Sequence, residues 1–307
     1  MRPFRFAITA SHARSAAEWR ATARRVEALG YDLLLMPDHL TGQLAPVPAL
    51  MAALDATTTL RAGSFVLAND YRNPVLLAKE IATLDVLSGG RIELGIGAGW
   101  AKRDYRMLGL SYDAPRTRVA RLFEAVRLID RLLTEESVDF TGRFYTVRDA
   151  RVLPRPVQRP RPPFMIAGGG VRMLRFAARH ADSVGLLPRM DERGRPHVAE
   201  ATMGATARKV AWIRQGAGER IDRIDVNVIV FDAGVVDRPR SLVDGALTRG
   251  KALATSVLDT PYVLYGSHAE LRRRLIARRE RLGISYYALP ERAMDAFAPL
   301  VRELHAL

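Results

Sequence analysis

Four short segments of this chain carry side chains and bare backbone suited to chemistry. Asp38-His39 puts a carboxylate beside the one side chain that changes charge near neutrality. A histidine there serves either as a proton relay or as a structural hydrogen-bonder. Residues 69–73, Asn-Asp-Tyr-Arg-Asn, are rich in side-chain amides, and Asn73 is in any case placed to cap a helix. Gly97-Ala98-Gly99-Trp100, followed by Arg103, Asp104 and Tyr105, sets a broad aromatic beside open main chain. Trp100 belongs there either to a pocket wall or to the core. Gly168-Gly169-Gly170 precedes a helical stretch and offers several free amides, an arrangement suited to a phosphate as well as to a plain helix start.

The elements that would position these segments alternate from end to end. Strands are expected at residues 4–9, 33–36, 63–67, 92–96, 164–167, 184–187, 224–231 and 286–289. Between them run helical patterns at residues 16–29, 49–57, 74–88, 116–133, 171–180, 191–215, 241–258 and 268–282, with a last helix at 293–304. Residues 73–100 agree most completely. Asn73 caps, Pro74 suits the first helical position, and Leu77, Ile81, Leu84 and Leu87 form an apolar face. Ser88-Gly89-Gly90 ends that helix, and a buried strand then runs into Gly97. A hairpin is expected at residues 138–147, turning at Thr141-Gly142-Arg143. Eight strands alternating with helices argue for a single α/β domain over residues 1–307, a (β/α)8 TIM barrel with short insertions. An open doubly wound sheet is the alternative. In either case function collects where strands end and helices begin.

Composition narrows the classes further. No cysteine occurs, which excludes disulfides, a thiolate nucleophile and cysteine-ligated metal. The six histidines are scattered, and no His-x-His follows the first strand, so no bound catalytic metal is expected. The net charge of +14 comes from 47 basic residues, of which Lys79, Lys102, Lys209 and Lys251 are the only lysines. That arginine skew reads as genome composition. The cluster Arg272, Arg273, Arg274, Arg278, Arg279 and Arg281 lies on one helix with no aromatic interleaving, so a solvated face is expected and no nucleic-acid partner. A positive surface would still attract a polyanionic cofactor or substrate. The opening MRPFRFAITA has no long apolar stretch and no segment approaches a membrane span, so a cytoplasmic protein without a membrane partner is expected.

Two near-matches fail on context. In Gly95-Ile96-Gly97-Ala98-Gly99 the position of a third fingerprint glycine is Trp100, and the first glycine lies inside a strand. GALTRGK at residues 245–251 is followed by Ala252 where a phosphate loop needs Ser or Thr, and no strand precedes it.

GYDLLLMPDH (residues 30–39), the 73–100 run and FMIAGGGVRMLRFAARHAD (residues 164–182) together resemble the luciferase-like monooxygenase superfamily. Its members are barrel oxidoreductases using FMN or the deazaflavin coenzyme F420, and the chain is most similar to the F420-dependent subgroup. The resemblance implies hydride transfer between F420 and a small organic substrate, with an FMN-dependent monooxygenase as the alternative. It also implies a homodimer. Asp38, His39 and Trp100 become the candidate catalytic residues, His39 bonding substrate or relaying a proton. Ser64-Phe65 or Phe65-Val66 falls where members place a non-proline cis peptide behind the ring. Asn69 would approach the ring edge, and Gly97, Ala98 and Gly99 would line the cofactor. Ala167, Gly168, Gly169, Gly170 and Val171 would hold its phosphate. Members that oxidise glucose 6-phosphate carry a catalytic Glu where Trp100 stands, which points here to a more apolar substrate. Two readings outside the resemblance are a hydrolase using Asp38 and Asp104 as paired carboxylates and a DNA binder driven by charge.

Overall fold

A computed structural model describes residues 1–188, 197–236 and 260–307. Its centre is a ring of parallel strands: β1 (Arg5–Thr9), β2 (Leu33–Met36), β3 (Arg61–Ser64), β4 (Ile92–Gly97), β5 (Phe164–Gly168), β6 (Ser183–Leu186), β7 (Asp225–Ile229) and β8 (Ile284–Pro290). Each pairs with its chain neighbours, and β8 closes on β1 with Arg5 opposite Tyr286. Closure removes the open-sheet alternative and makes the fold a TIM barrel.

The strands have apolar side chains on both faces, which is why their sequence shows no alternation. Outward residues such as Phe6, Leu34, Ile92 and Leu94 pack beneath the helices in one large core. Inward ones fill the barrel, with Ala7, Leu33, Leu35, Met165, Tyr286 and Ala288 stacked under Phe65. The amino-terminal end of the barrel is polar. Arg5 pairs there with Glu93 at 2.7 Å and Asp225 at 2.9 Å, and Arg61 reaches the same Glu93 at 2.6 Å. Catalytic machinery in such a barrel is expected at the other end.

Local signals place most boundaries. Ser15 accepts the Glu18 amide and opens the helix Ala16–Ala28; Asn73 accepts the Val75 amide at 2.8 Å and opens Pro74–Ser88. Gly89, at φ +65°, ends the latter in the left-handed region that favours glycine. Three expectations are corrected. The third strand does not run through residues 63–67: it stops at Ser64, passes a cis Phe65–Val66 peptide and resumes as Leu67–Ala68 against Ile96 and Gly97. Leu87 does not join the apolar face of its helix but is 64% exposed, because the helix meets the barrel through Leu77, Ala78, Ile81 and Leu84. The hairpin pairs Val138–Thr141 with Thr146–Ala150, so its turn spans residues 142–145. The expected helix at 191–215 appears as Met203–Ala217, residues 191–196 lying outside the described part. The helix expected at 241–258 and the GALTRGK segment also lie outside it.

Candidate active site

A cleft of about 330 Å³ opens at the carboxyl ends of the barrel strands. Its floor is the Phe65-Val66 pair that interrupts β3. The Phe65 ring fits because β6 carries Gly185 beneath it; a Cβ there would lie 2.8 Å from Phe65 Cε2. Gly97-Ala98-Gly99 at the end of β4 and Ala167-Gly168-Gly169 at the end of the neighbouring β5 both line the cleft. A Cβ on Gly97 would lie 2.8 Å from Val66 Cγ2, and one on Gly169 would lie 2.5 Å from the Leu187 carbonyl oxygen. Bare backbone therefore lets the end of β4 lie against Val66 and the end of β5 lie against Leu187, leaving a slot without side chains at those glycines. Gly170 caps the helix Val171–His180 without a side-chain bond, at the edge of the slot. Gly170 and Val171 themselves are not among the lining residues.

His39 stands at the rim, after β2. Its Nδ1 lies 2.8 Å from Oδ2 of Asp104, a buried carboxylate on the short helix Lys102–Met107. A carboxylate only accepts, so in the neutral ring this bond selects the tautomer with the proton on Nδ1 and the lone pair on Nε2. Trp100 meets the imidazole edge to face, ring centres 5.4 Å apart. At 42% exposure the indole is a rim residue of the cleft and not a core aromatic.

Asp38 also lines the cleft, but its oxygens are engaged elsewhere. Arg72 grips them as a fork at 2.6 and 3.0 Å, and the Ala68 amide donates to one of them at 2.9 Å. The pair anchors the turn Asn69–Tyr71 to the end of β2. That turn carries Tyr71 into the cleft wall. Burial first, then the carboxylates of Asp104, Asp38 and Asp70, push the Tyr71 phenol well above its ordinary range, so it stays a donor. Asn69 is not among the lining residues, its amide 3.2 Å from the Tyr145 hydroxyl, and Ser64 exchanges bonds with the Gly95 main chain. The paired-carboxylate arrangement is replaced by two separate pairs, Asp38 with Arg72 and Asp104 with His39. Among the described residues no group of three or more His, Asp or Glu side chains is placed to hold a metal ion.

The structure thus brings together Asp38, His39, Phe65, Val66, Trp100 and the two glycine walls; Ser64, Asn69, Gly170 and Val171 stay outside the lining. Sequence reasoning missed Tyr71 as a lining group, although its loop had drawn attention. It also missed Met173, Leu187, Ile229 and Phe231, which line the cleft as well. Apolar residues at a strand end carry no signal that separates a pocket wall from core.

The profile of the family described as luciferase-like monooxygenase matches residues 1–231. The chain belongs to that family. Over 168 residues it is 34% identical to an F420-dependent glucose-6-phosphate dehydrogenase of Amycolatopsis mediterranei, a match covering 52% of this chain and 50% of that protein. Over 170 residues it is 31% identical to an FMNH2-dependent dimethylsulfone monooxygenase of Pseudomonas putida, covering 53% of this chain and 46% of that one. The chain thus spans about half the length of the curated relatives it matches. Among solved structures, the coenzyme F420-dependent tetrahydromethanopterin reductase of Methanopyrus kandleri superposes with a TM-score of 0.78. That match covers 98% of this chain and 99% of that one at 17% identity, and shows the luciferase-like barrel fold.

Proposed function

We propose that this luciferase-like protein is an F420-dependent oxidoreductase that moves a hydride between the deazaflavin and a small organic substrate. The observation that carries the reading is the glycine-walled slot with the His39–Asp104 pair at its rim. The residues present fit a flat tricyclic ring. The slot's volume lies within the roughly 300–1,000 Å³ of small-molecule sites, and no Cβ projects from Gly97, Gly168 or Gly169 into it. Phe65 and Val66 would support the ring, and the amides at Gly169, Gly170 and Val171 would face its phosphate. When bound, the deazaflavin supplies a ring carbon that accepts or gives a hydride.

The chain's own part is binding, orientation and proton handling. Nε2 of His39 takes up or returns the proton that accompanies the hydride, and Asp104 keeps the imidazole turned the right way. Asp38, tied to Arg72, positions the Tyr71 turn, and Tyr71 offers a phenolic donor to a substrate oxygen. Trp100, Ile229 and Phe231 give the substrate side an apolar, water-poor surface. An uncharged substrate suits that surface better than a sugar phosphate. A cytoplasmic homodimer, with no nucleic-acid or membrane partner, belongs to this reading. Exposed Leu76, Leu87, Leu153 and Val157 supply apolar area for a subunit contact.

Identity to the FMNH2-dependent monooxygenase supports FMN as the second reading. Titrating the purified protein with F420 while following its fluorescence, with FMN as competitor, separates the two. Saturable F420 binding that FMN fails to displace is expected; tight FMN binding with no F420 response overturns the proposal.

A further inference from the structure

We infer that a second anion site lies at the amino-terminal end of the barrel, opposite the cleft, and takes an oxyanion of the phosphate class bearing at least two negative charges. The site is a cavity of about 260 Å³. Arg2, Arg5, Arg159, Arg161 and Arg223 surround it, with Asp182 and Asp225 as the lining carboxylates. Its walls come from separate parts of the chain: the start of β1, the run before β5, and the entries to β6 and β7. The cavity therefore exists only in the closed barrel.

The partners of each charge decide what the cavity holds. Asp225 gives one oxygen to Arg2 at 2.6 Å and the other to Arg5 at 2.9 Å. Asp182 accepts from Arg161 at 2.6 Å and from the Phe164 amide at 2.8 Å. Asp130 and Glu93 reach Arg161 and Arg5 as well. Even so, Arg159 and Arg223 have no carboxylate partner among the described residues. Arg159 bonds only to the carbonyls of Pro156 and Gln158. Two guanidinium groups with unfilled donors thus border a cavity whose carboxylates are already engaged. A planar fork of N–H donors matches phosphate oxygens.

The wall is also stiff. Arg159-Pro160-Arg161-Pro162-Pro163 contains three prolines with fixed φ, and the Arg161 side chain is only 9% exposed. That stiffness fixes the run that carries Arg159, whose own side chain, like that of Arg223, is exposed and reaches the ligand from the rim. A halide or a monocarboxylate would leave most of these donors unfilled. A diphosphate or a phosphorylated small molecule would engage both unpaired arginines at once.

Calorimetric titration with pyrophosphate at constant ionic strength tests this, with orthophosphate and acetate alongside. Saturable binding of one pyrophosphate per chain is expected, with orthophosphate weaker and acetate silent. The double variant Arg159→Ala/Arg223→Ala removes two charge-assisted contacts and is expected to bind at least about tenfold more weakly. Both side chains are solvent-facing, so folding should survive; should the double variant fail to fold, Arg223→Ala alone gives the same comparison. No binding by the native protein, equal response to acetate, or unchanged affinity in the variants would overturn the inference.

Discussion

His39 presents one ring nitrogen to the cleft because Asp104 holds the other at 2.8 Å. Replacing His39 by Asn removes the proton acceptor and is expected to lower kcat about 10²–10⁴-fold while F420 still binds. Asp104→Asn keeps the shape but frees the imidazole to take the wrong tautomer, so a smaller loss in kcat at nearly constant KM is expected. Steady-state kinetics of the two variants side by side checks both, and wild-type turnover in Asp104→Asn would remove its orienting role. Gly97 is a different case, since what matters is the atom it lacks. In Gly97→Ala the new Cβ meets Val66 Cγ2 at 2.8 Å and must shift the floor. F420 affinity, read by fluorescence titration, should fall at least about tenfold, the effect of roughly 1.4 kcal/mol.

The turn after β3 depends on one buried ion pair. Asp38 is only 4% exposed at its side chain and relies on the Arg72 fork. Arg72→Met strands that carboxylate and is expected to destabilise the fold by about 3–5 kcal/mol, measured by urea unfolding. A second junction is electrostatic and responds to acid. Glu27, near the end of the helix Ala16–Ala28, is penalised by burial, but the amides of Thr59, Leu60 and Thr58 outweigh that and bring it down to about 2. Its folded value lies below its unfolded one, so its contribution is present above the ordinary carboxylate range and is lost as pH falls toward 2. In Glu27→Gln the slope of stability against pH between about 4.5 and 2 should flatten. An unchanged slope by chemical unfolding across that range would refute the assignment.

Across the whole molecule, the last helix closes the ring by docking on the amino-terminal half. Nε2 of His305, at the end of the helix Met294–His305, lies 2.9 Å from Asp32 just before β2. The hydrogen bond to Asp32 outweighs partial burial and raises the His305 value above its ordinary one. The sign is opposite to that of Glu27: stabilisation is complete below about pH 6.5 and disappears as pH rises through the raised folded value. Thermal unfolding from pH 6 upward should show this loss in the native chain and lack it in His305→Gln. A parallel decline in both proteins would assign the effect elsewhere.

The amino-acid sequence by itself determined the local units. Asn73 with Pro74 at one end and Gly89 at the other bound a helix through caps that act within a turn, so they can be read without knowing the fold. The glycine runs at 97–99 and 168–170 were legible for the same reason: missing side chains are visible in a sequence. Tertiary structure alone decided which residues meet. His39 and Asp104 are 65 positions apart, and nothing local selects that carboxylate over Asp38 beside it. Leu87 fits a helical stripe as well as Ile81 does, yet only contact with the barrel buries one and exposes the other. The break in β3 depends on Gly185 and Gly97 leaving room for Phe65 and Val66, and that space exists only once the strands have closed.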